Sequence, residues 1–244
     1  MNVAGVVAAL AAEARALGPA TRISGGCAAL NDGTLVAVSG IGCAAAASAA
    51  VKLIEAGATA LISWGMAGAL DPKLTAGAVC VPSEVIGTDG GRFAAAQHWR
   101  EPVAALIGAR QPVAGGTLLT SAQAIDTAAA KQAAHRKTGA AAVDMESSAV
   151  AQVAAAHGLP FIVVRVIVDA AGDAVPRTVV AASRAGRVRI ARLILGLVIR
   201  PTDIAPLLRL ARRYRIATRS LRAVAALGTL APPGAALPST VGAA

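Results

Sequence analysis

Three carboxylates stand where this chain could use them to break a bond. Glu13 follows the apolar run 3–8 after a short turn, Glu146 opens a helix-like stretch, and Asp169 ends the most apolar run, 161–168. Breaking a glycosidic bond builds positive charge on the sugar carbon and negative charge on the departing group. A catalyst for it needs an acid for the leaving group, an anion near the sugar and a positioned nucleophile, and carboxyl groups can supply these. All three residues fall where open α/β sheets bind ligands, outside the carboxyl ends of strands. Each also has a plain structural reading. Glu146 suits a helix N-terminus with Asp144 as its N-cap, Asp169 suits a strand-ending turn, and Glu13 suits a solvated first turn.

The elements that would position them alternate between strand and helix. Runs 3–8, 34–39, 60–63, 78–82 and 161–168 are apolar, mostly rich in Val or Ile, and read as buried strands. Helical patterns cover 44–56, 127–137 and 145–157, with Gly57 and Gly158 stopping the first and last. The expected fold is α/β, a mostly parallel mixed sheet flanked by helices. Beyond Asp173 the stretches 178–200, 203–213 and 216–226 read as helices. Pro201 parts the first two, the basic stretch around Tyr214 parts the last two, and 231–244 reads as a frayed end. The expected organisation is a main domain over 1–200 and a basic helical extension over 201–244.

Composition narrows the setting. Hydrophobic residues make up 56% of the chain and aromatics 2%, so the core must be built from Ala, Val, Leu and Ile. Cys27, Cys43 and Cys80 are odd in number and lack a C-x-x-C pairing, which argues against disulfides and zinc and points to a reducing cytoplasm. His98, His135 and His157 lack a metal-ligand spacing, so no metal is expected. The apolar start, 1–10, lacks a basic lead-in and reads as a first strand rather than a signal peptide.

Charge is divided unevenly. Residues 1–183 hold twelve Lys or Arg and twelve Asp or Glu, whereas 184–244 hold eleven Arg and only Asp203, so the net charge of +10 is entirely C-terminal. A neutral body with a basic tail points to an anionic surface as partner. Stretch 190–199 carries Arg192 and is half the roughly 20 residues a spanning helix needs, so a surface contact is expected rather than a transmembrane segment. Residues 188–199 are expected to cover the sheet, and 207–226 to reach an anionic membrane. With two Trp, one Tyr and two Phe, the chain has few platforms on which bases could stack, so no nucleic acid is expected.

Five ordered segments change the weight of the single residues. V-V-A-A-L-A-A-E ends at Glu13, S-G-I-G spans 39–42, and W-G-M-A-G-A-L spans 64–70 with G-A-V-C-V-P after it. V-D-M-E-S-S-A-V-A spans 143–151 and F-I-V-V-R-V-I-V-D spans 161–169. In these segments the chain resembles the methylthioadenosine and S-adenosylhomocysteine nucleosidases of the purine nucleoside phosphorylase superfamily. The resemblance implies that Asp169 protonates or hydrogen-bonds the purine at N7, that Glu146 holds the ribose hydroxyls and that Met145 packs on the sugar. It further implies that Glu13 orients or deprotonates the nucleophile with help from Arg165, that Ile125, Met66 and Gly65 complete the substrate-binding set, and that the protein forms a homo-oligomer. No cofactor is implied, with phosphate as a conceivable co-substrate.

Departures from the pattern sharpen it. The phosphorylases of the superfamily flank the turn at 63–68 with Arg and Ser, where this chain has Ser63 and Met66. They also carry Gly and a basic residue in the first turn, where it has Ala9 and Leu10. Water is therefore the preferred nucleophile over phosphate. Met66, Ala124 and Val168 replace a small hydroxyl residue, an aromatic and a polar residue of the nucleosidases, giving a more apolar pocket. Those positions and the Arg-rich tail resemble the hopanoid-associated phosphorylases, thought to remove adenine from adenosylhopane. That implies a lipid-linked adenosyl substrate and a cytoplasmic enzyme peripheral to the inner membrane face. A general methylthioadenosine/adenosylhomocysteine nucleosidase and a non-catalytic nucleoside-binding protein are the alternatives.

Overall fold

The computed structural model describes residues 2–173, 183–184, 187–188, 204–228 and 230–232. At its centre β1 (Ala4–Ala8) lies between β4 (Leu35–Val38) and β5 (Ala60–Ala69), parallel to both, with Val6 opposite Val36 and Ile62. The long β12 (Phe161–Asp169) runs parallel to β5 on a separate branch. Parallel strands need both faces covered, and period-two alternation supplies apolar groups to each. Val7, Leu61 and Val163 join one core cluster, whereas Val6, Ile62 and Val164 join the other.

Antiparallel partners are added around this parallel centre. β2 (Ala20–Arg22) and β3 (Ala28–Leu30) pair antiparallel and extend β4. β6 (Val79–Cys80) pairs antiparallel with β12 and parallel with β9 (Val113–Ala114). β7 (Glu84–Ile86) pairs with β8 (Arg92–Ala94), antiparallel, and with β10 (Thr117–Thr120), parallel. β10 is parallel to β11 (Ala142–Asp144), which meets the outer part of β5 antiparallel. The sheet is thus mixed with a parallel centre, as expected.

Helices cover the two faces differently. α1 (Ala11–Ala14) is a single turn, while α2 (Cys43–Glu55) and α5 (Ser147–Ala156) lie over one face through Ala46, Ala50, Leu53, Val150 and Ala154. α3 (Gln97–Gly108) covers the other through Trp99, Val103 and Ile107. α4 (Ala128–Thr138) starts at Thr127, whose Oγ1 accepts from Ala130 N, and stops at left-handed Gly139.

The C-terminal part departs from the sequence expectation. Residues 203–213 and 216–226 were expected as two helices, yet α6 (Ile204–Ala225) runs through Tyr214 without a break. Neither Arg nor Tyr interrupts a helix, and Ala217, Leu221 and Val224 recur at helical spacing on one buried face. That face joins the cluster of Trp99 and Val164, so α6 covers the sheet, and each larger buried side chain contributes roughly 1.5–3 kcal/mol. Gly77 admits the close crossing: at φ +92, a Cβ there would sit 2.7 Å from Ile216.

The expected helix over 178–200 is also corrected in part, because β13 (Ser183–Arg184) pairs antiparallel with β14 (Arg187–Val188). The intervening sequence ends in Gly186, a poor helix former. The rest of that stretch, including 190–199, lies outside the described residues, as does the expected frayed end beyond Pro232. Among the described residues no helix is long and apolar enough to cross a membrane.

Candidate active site

The ends of β1 and β12, the outer half of β5 and the turn after β11 enclose a cavity of about 270 Å³. Glu13, Asp144, Glu146 and Asp169 line it, and no Lys or Arg is among the described residues that line it. Ala9, Leu10, Met66, Ala124, Ile125, Met145 and Val168 form much of the apolar wall, with Ile41 from the turn before α2 and Tyr214 from α6. Of the residues expected at the site, Glu13, Glu146, Asp169, Met145, Ile125 and Met66 meet in this one space. Gly65 and Arg165 lie behind its wall.

Glu13 is buried, not the solvated residue of its plain reading. Its Oε2 accepts from Leu10 N at 2.9 Å, which ties the carboxylate back to the start of its own turn. Its Oε1 accepts from Met66 N at 2.9 Å, and Trp64 Nε1 donates to its backbone carbonyl at 3.0 Å. Gly65 is required between them. Its φ is +151, and a Cβ would lie 2.6 Å from both Glu13 Oε1 and Arg165 Nη1.

Arg165 is 1% exposed and organises the buried end. Its Nη2 donates to Asp144 Oδ2 at 2.6 Å and Ser63 Oγ at 2.8 Å, and lies 3.6 Å from Glu146 Oε2. Asp144 also accepts from Ser147 N at 3.1 Å, but the N-cap position of α5 falls on Glu146, so Asp144 stands two residues ahead of the cap it was expected to be. Glu146 is not merely a helix-start acid, because its Oε1 accepts from Gly42 N at 3.0 Å across the cavity. The single hydroxyl proton of Ser147 goes to Asp144, its Oγ also lies 2.8 Å from Ser63 Oγ, and Thr120 Oγ1 donates to Asp144 Oδ1 at 2.9 Å. These hydroxyls satisfy a buried carboxylate that would otherwise be costly.

Burial pushes Glu13 and Glu146 above the ordinary carboxyl value, and Arg165 pulls both back. Asp144 and Glu13 push Glu146 further up. Burial opposes the charge on Arg165 itself, and Asp144, Glu146 and Glu13 together outweigh it.

Asp169 occupies a different setting. A register shift between Ile167 and Asp169 ends β12 with the carboxylate beside Gly68, where a Cβ would stand 3.3 Å from both its oxygens. Its Oδ2 pairs with Lys131, a residue the sequence reading did not single out, and Lys131 Nζ also donates to Ala170 O at 2.9 Å. Burial raises the Asp169 carboxyl, with Asp173 adding to it, while Lys131 and Arg213 lower it. Arg213 pairs with Asp173, whose Oδ2 accepts from Ala170 N at 2.8 Å, and so pins α6 to the segment after β12. Tyr214 thereby reaches the cavity from the tail.

The profile of the phosphorylase superfamily matches residues 29–199. The chain belongs to that superfamily. It is 28% identical over 155 residues to the 5′-methylthioadenosine/S-adenosylhomocysteine nucleosidases of Mycobacterium bovis and Mycobacterium tuberculosis, covering 48% of this chain and 61% of either relative. The chain thus spans about three fifths of the curated relatives it matches. Among solved structures it is similar to the nucleosidase of that name from Neisseria meningitidis, in complex with methylthio-immucillin-A. That likeness has a TM-score of 0.71 and 21% identity over 94% of this chain and 99% of the other. The futalosine hydrolase of Helicobacter pylori matches at TM-score 0.66 and 16% identity over 91% and 97%. These likenesses show a fold common to the superfamily.

Proposed function

We propose that this superfamily member hydrolyses the N-glycosidic bond of an adenine nucleoside, with adenosylhopane as substrate at an anionic membrane surface. The observation that carries the chemistry is the charge of the cavity wall: four carboxylates, and no Lys or Arg among the described residues that line it. A developing sugar cation is stabilised there. A phosphate dianion would face those carboxylates, with Arg165 already committed to Asp144 and Ser63. In the proposed step the C1′–N9 bond breaks and its electron pair passes to the purine. Asp169 gives N7 its proton, water adds to C1′, and Glu13 takes the proton that water releases. The named activities of the nucleosidase relatives support the same bond.

The finer reading rests on size and surface. At about 270 Å³ the cavity lies just below the roughly 300–1,000 Å³ typical of pockets for drug-sized ligands. It suits a nucleoside head, so a polycyclic lipid would extend past the rim, where Ile41 is 43% exposed. Arg209, Arg212, Arg215, Arg219 and Arg222 are exposed along α6 at spacings of three and four, which puts them on one stripe. An anionic leaflet attracts each such cation by about 1 kcal/mol.

The test is adenine release from adenosylhopane in detergent, with and without phosphate, and methylthioadenosine as control. Release without phosphate is expected. Strict phosphate dependence would replace water by phosphate, activity on the control alone would discard the lipid, and inactivity on both with nucleoside binding retained would leave a binding protein. For the surface, replacing the five stripe arginines by Gln is expected to cut sedimentation with phosphatidylglycerol vesicles by about tenfold or more. Equal sedimentation of both proteins would remove the membrane role.

A further inference from the structure

Lys131 is 0% exposed and does not line the cavity, yet its ammonium holds Oδ2 of the one cavity carboxylate that Arg165 does not serve. We propose that Lys131 is a positioning residue for the leaving base: it clamps one oxygen of Asp169, leaves the other for the purine, and stabilises the carboxylate that remains once the proton has moved. The inference rests on the hydrolytic reading above.

Packing alone does not account for a lysine at this position. Burying an ammonium carries a desolvation cost that an apolar side chain of similar length avoids, and apolar replacements of buried ion pairs are often neutral or stabilising. The position is fixed by local structure: Thr127 caps α4, which sets Lys131 in the second turn, and two of its N–H donors go to Asp169 and Ala170 O. Oδ1 of Asp169 makes no hydrogen bond to any described residue. The other charges facing the carboxyl are Asp173, from the segment after β12, and Arg213, from α6. These two pair with each other and largely offset, so Lys131 is the decisive neighbour.

The chemical consequence concerns the moment of transfer. As C1′–N9 breaks, its electron pair goes to the purine and the proton goes from Asp169 to N7. Asp169 is then an anion in a dry site, and the ammonium beside it makes that state accessible, so Lys131 strengthens the acid without touching the substrate.

A ¹³C NMR titration of the Asp169 carboxyl, identified by the signal lost in Asp169→Asn, tests this without requiring turnover. In Lys131→Met the midpoint is expected to rise by about one to three pH units, and in Lys131→Arg to stay near wild type. The kcat/KM for adenine release should fall roughly tenfold or more in Lys131→Met, its basic limb displaced in the same direction, with activity rescued in Lys131→Arg. An unmoved midpoint in folded Lys131→Met overturns the proposal; if that variant does not fold, Lys131→Gln is read in the same way. A wild-type protein that releases no adenine would instead sink the hydrolytic reading, and the titration would still report whether Lys131 controls Asp169.

Discussion

At one end of the cavity Glu13, Asp144 and Glu146 surround a single guanidinium, whereas at the other Asp169 has the ammonium of Lys131 to itself. Both arrangements bury carboxylates, and they solve different problems. Three acids on one cation leave surplus negative charge, held in place by Ser63, Thr120 and Ser147. That surplus is useful beside a sugar that becomes cationic. One acid on one cation gives a group whose proton affinity depends chiefly on its partner, which suits a donor to a leaving base. Opposed protonation demands within one cavity are met by unequal sharing of cations rather than by different side chains.

The comparison breaks most visibly when the shared cation is removed. Arg165→Met strips three buried carboxylates of their counter-charge at once, and removing one partner of a buried pair costs about 3–5 kcal/mol. Lys131→Met strips one, and Asp169 at the cavity wall can take up a proton in response. Urea denaturation at neutral pH should therefore show a clearly lower midpoint for Arg165→Met than for Lys131→Met. Equal midpoints would mean that the carboxylates near Arg165 are already largely protonated, and that the shared-cation description is wrong.

How much of this could be read in advance follows from where the signals lie. Glu13, Glu146 and Asp169 each sit in a short segment whose order along the chain is distinctive, and the strands before Glu13 and at Asp169 are apolar enough to be seen, whereas β11, three residues long, is not among the expected strands. Lys131 is invisible by comparison: it stands in A-A-A-K-Q-A-A-H-R-K, where a lysine reads as solvated, and its partner is 38 residues away. Asp144 reads in the sequence as the cap of α5, a place that Glu146 takes instead, and only the fold brings Arg165 to it from 21 residues downstream. Tyr214 was taken for part of a break between helices. Its place at the cavity depends on α6 packing over β12, which the arginines along the outer face obscure. β2 and β3, at three residues each, are too short for alternation to register.

The smallest expected effect sharpens the same comparison through pH. Glu146 has a folded-state carboxyl raised above its ordinary 4.5, first by burial and then by Asp144 and Glu13, against the pull of Arg165. A group raised on folding contributes stability that is fully present below its unfolded value and is lost as pH rises through the folded one. The contribution of Glu146 is therefore lost toward pH 8 and retained toward pH 4, where a protonated carboxyl resembles glutamine. Glu146→Gln keeps an acceptor for Gly42 N and removes the charge. Its melting temperature should exceed that of wild type at pH 8 by about 2–4 °C for each kcal/mol relieved, and the gap should close toward pH 4. A gap that is the same at both ends of the range, or a variant less stable at pH 8, would show that Arg165 has enough charge for all three carboxylates. The two ends of the cavity would then differ in geometry alone.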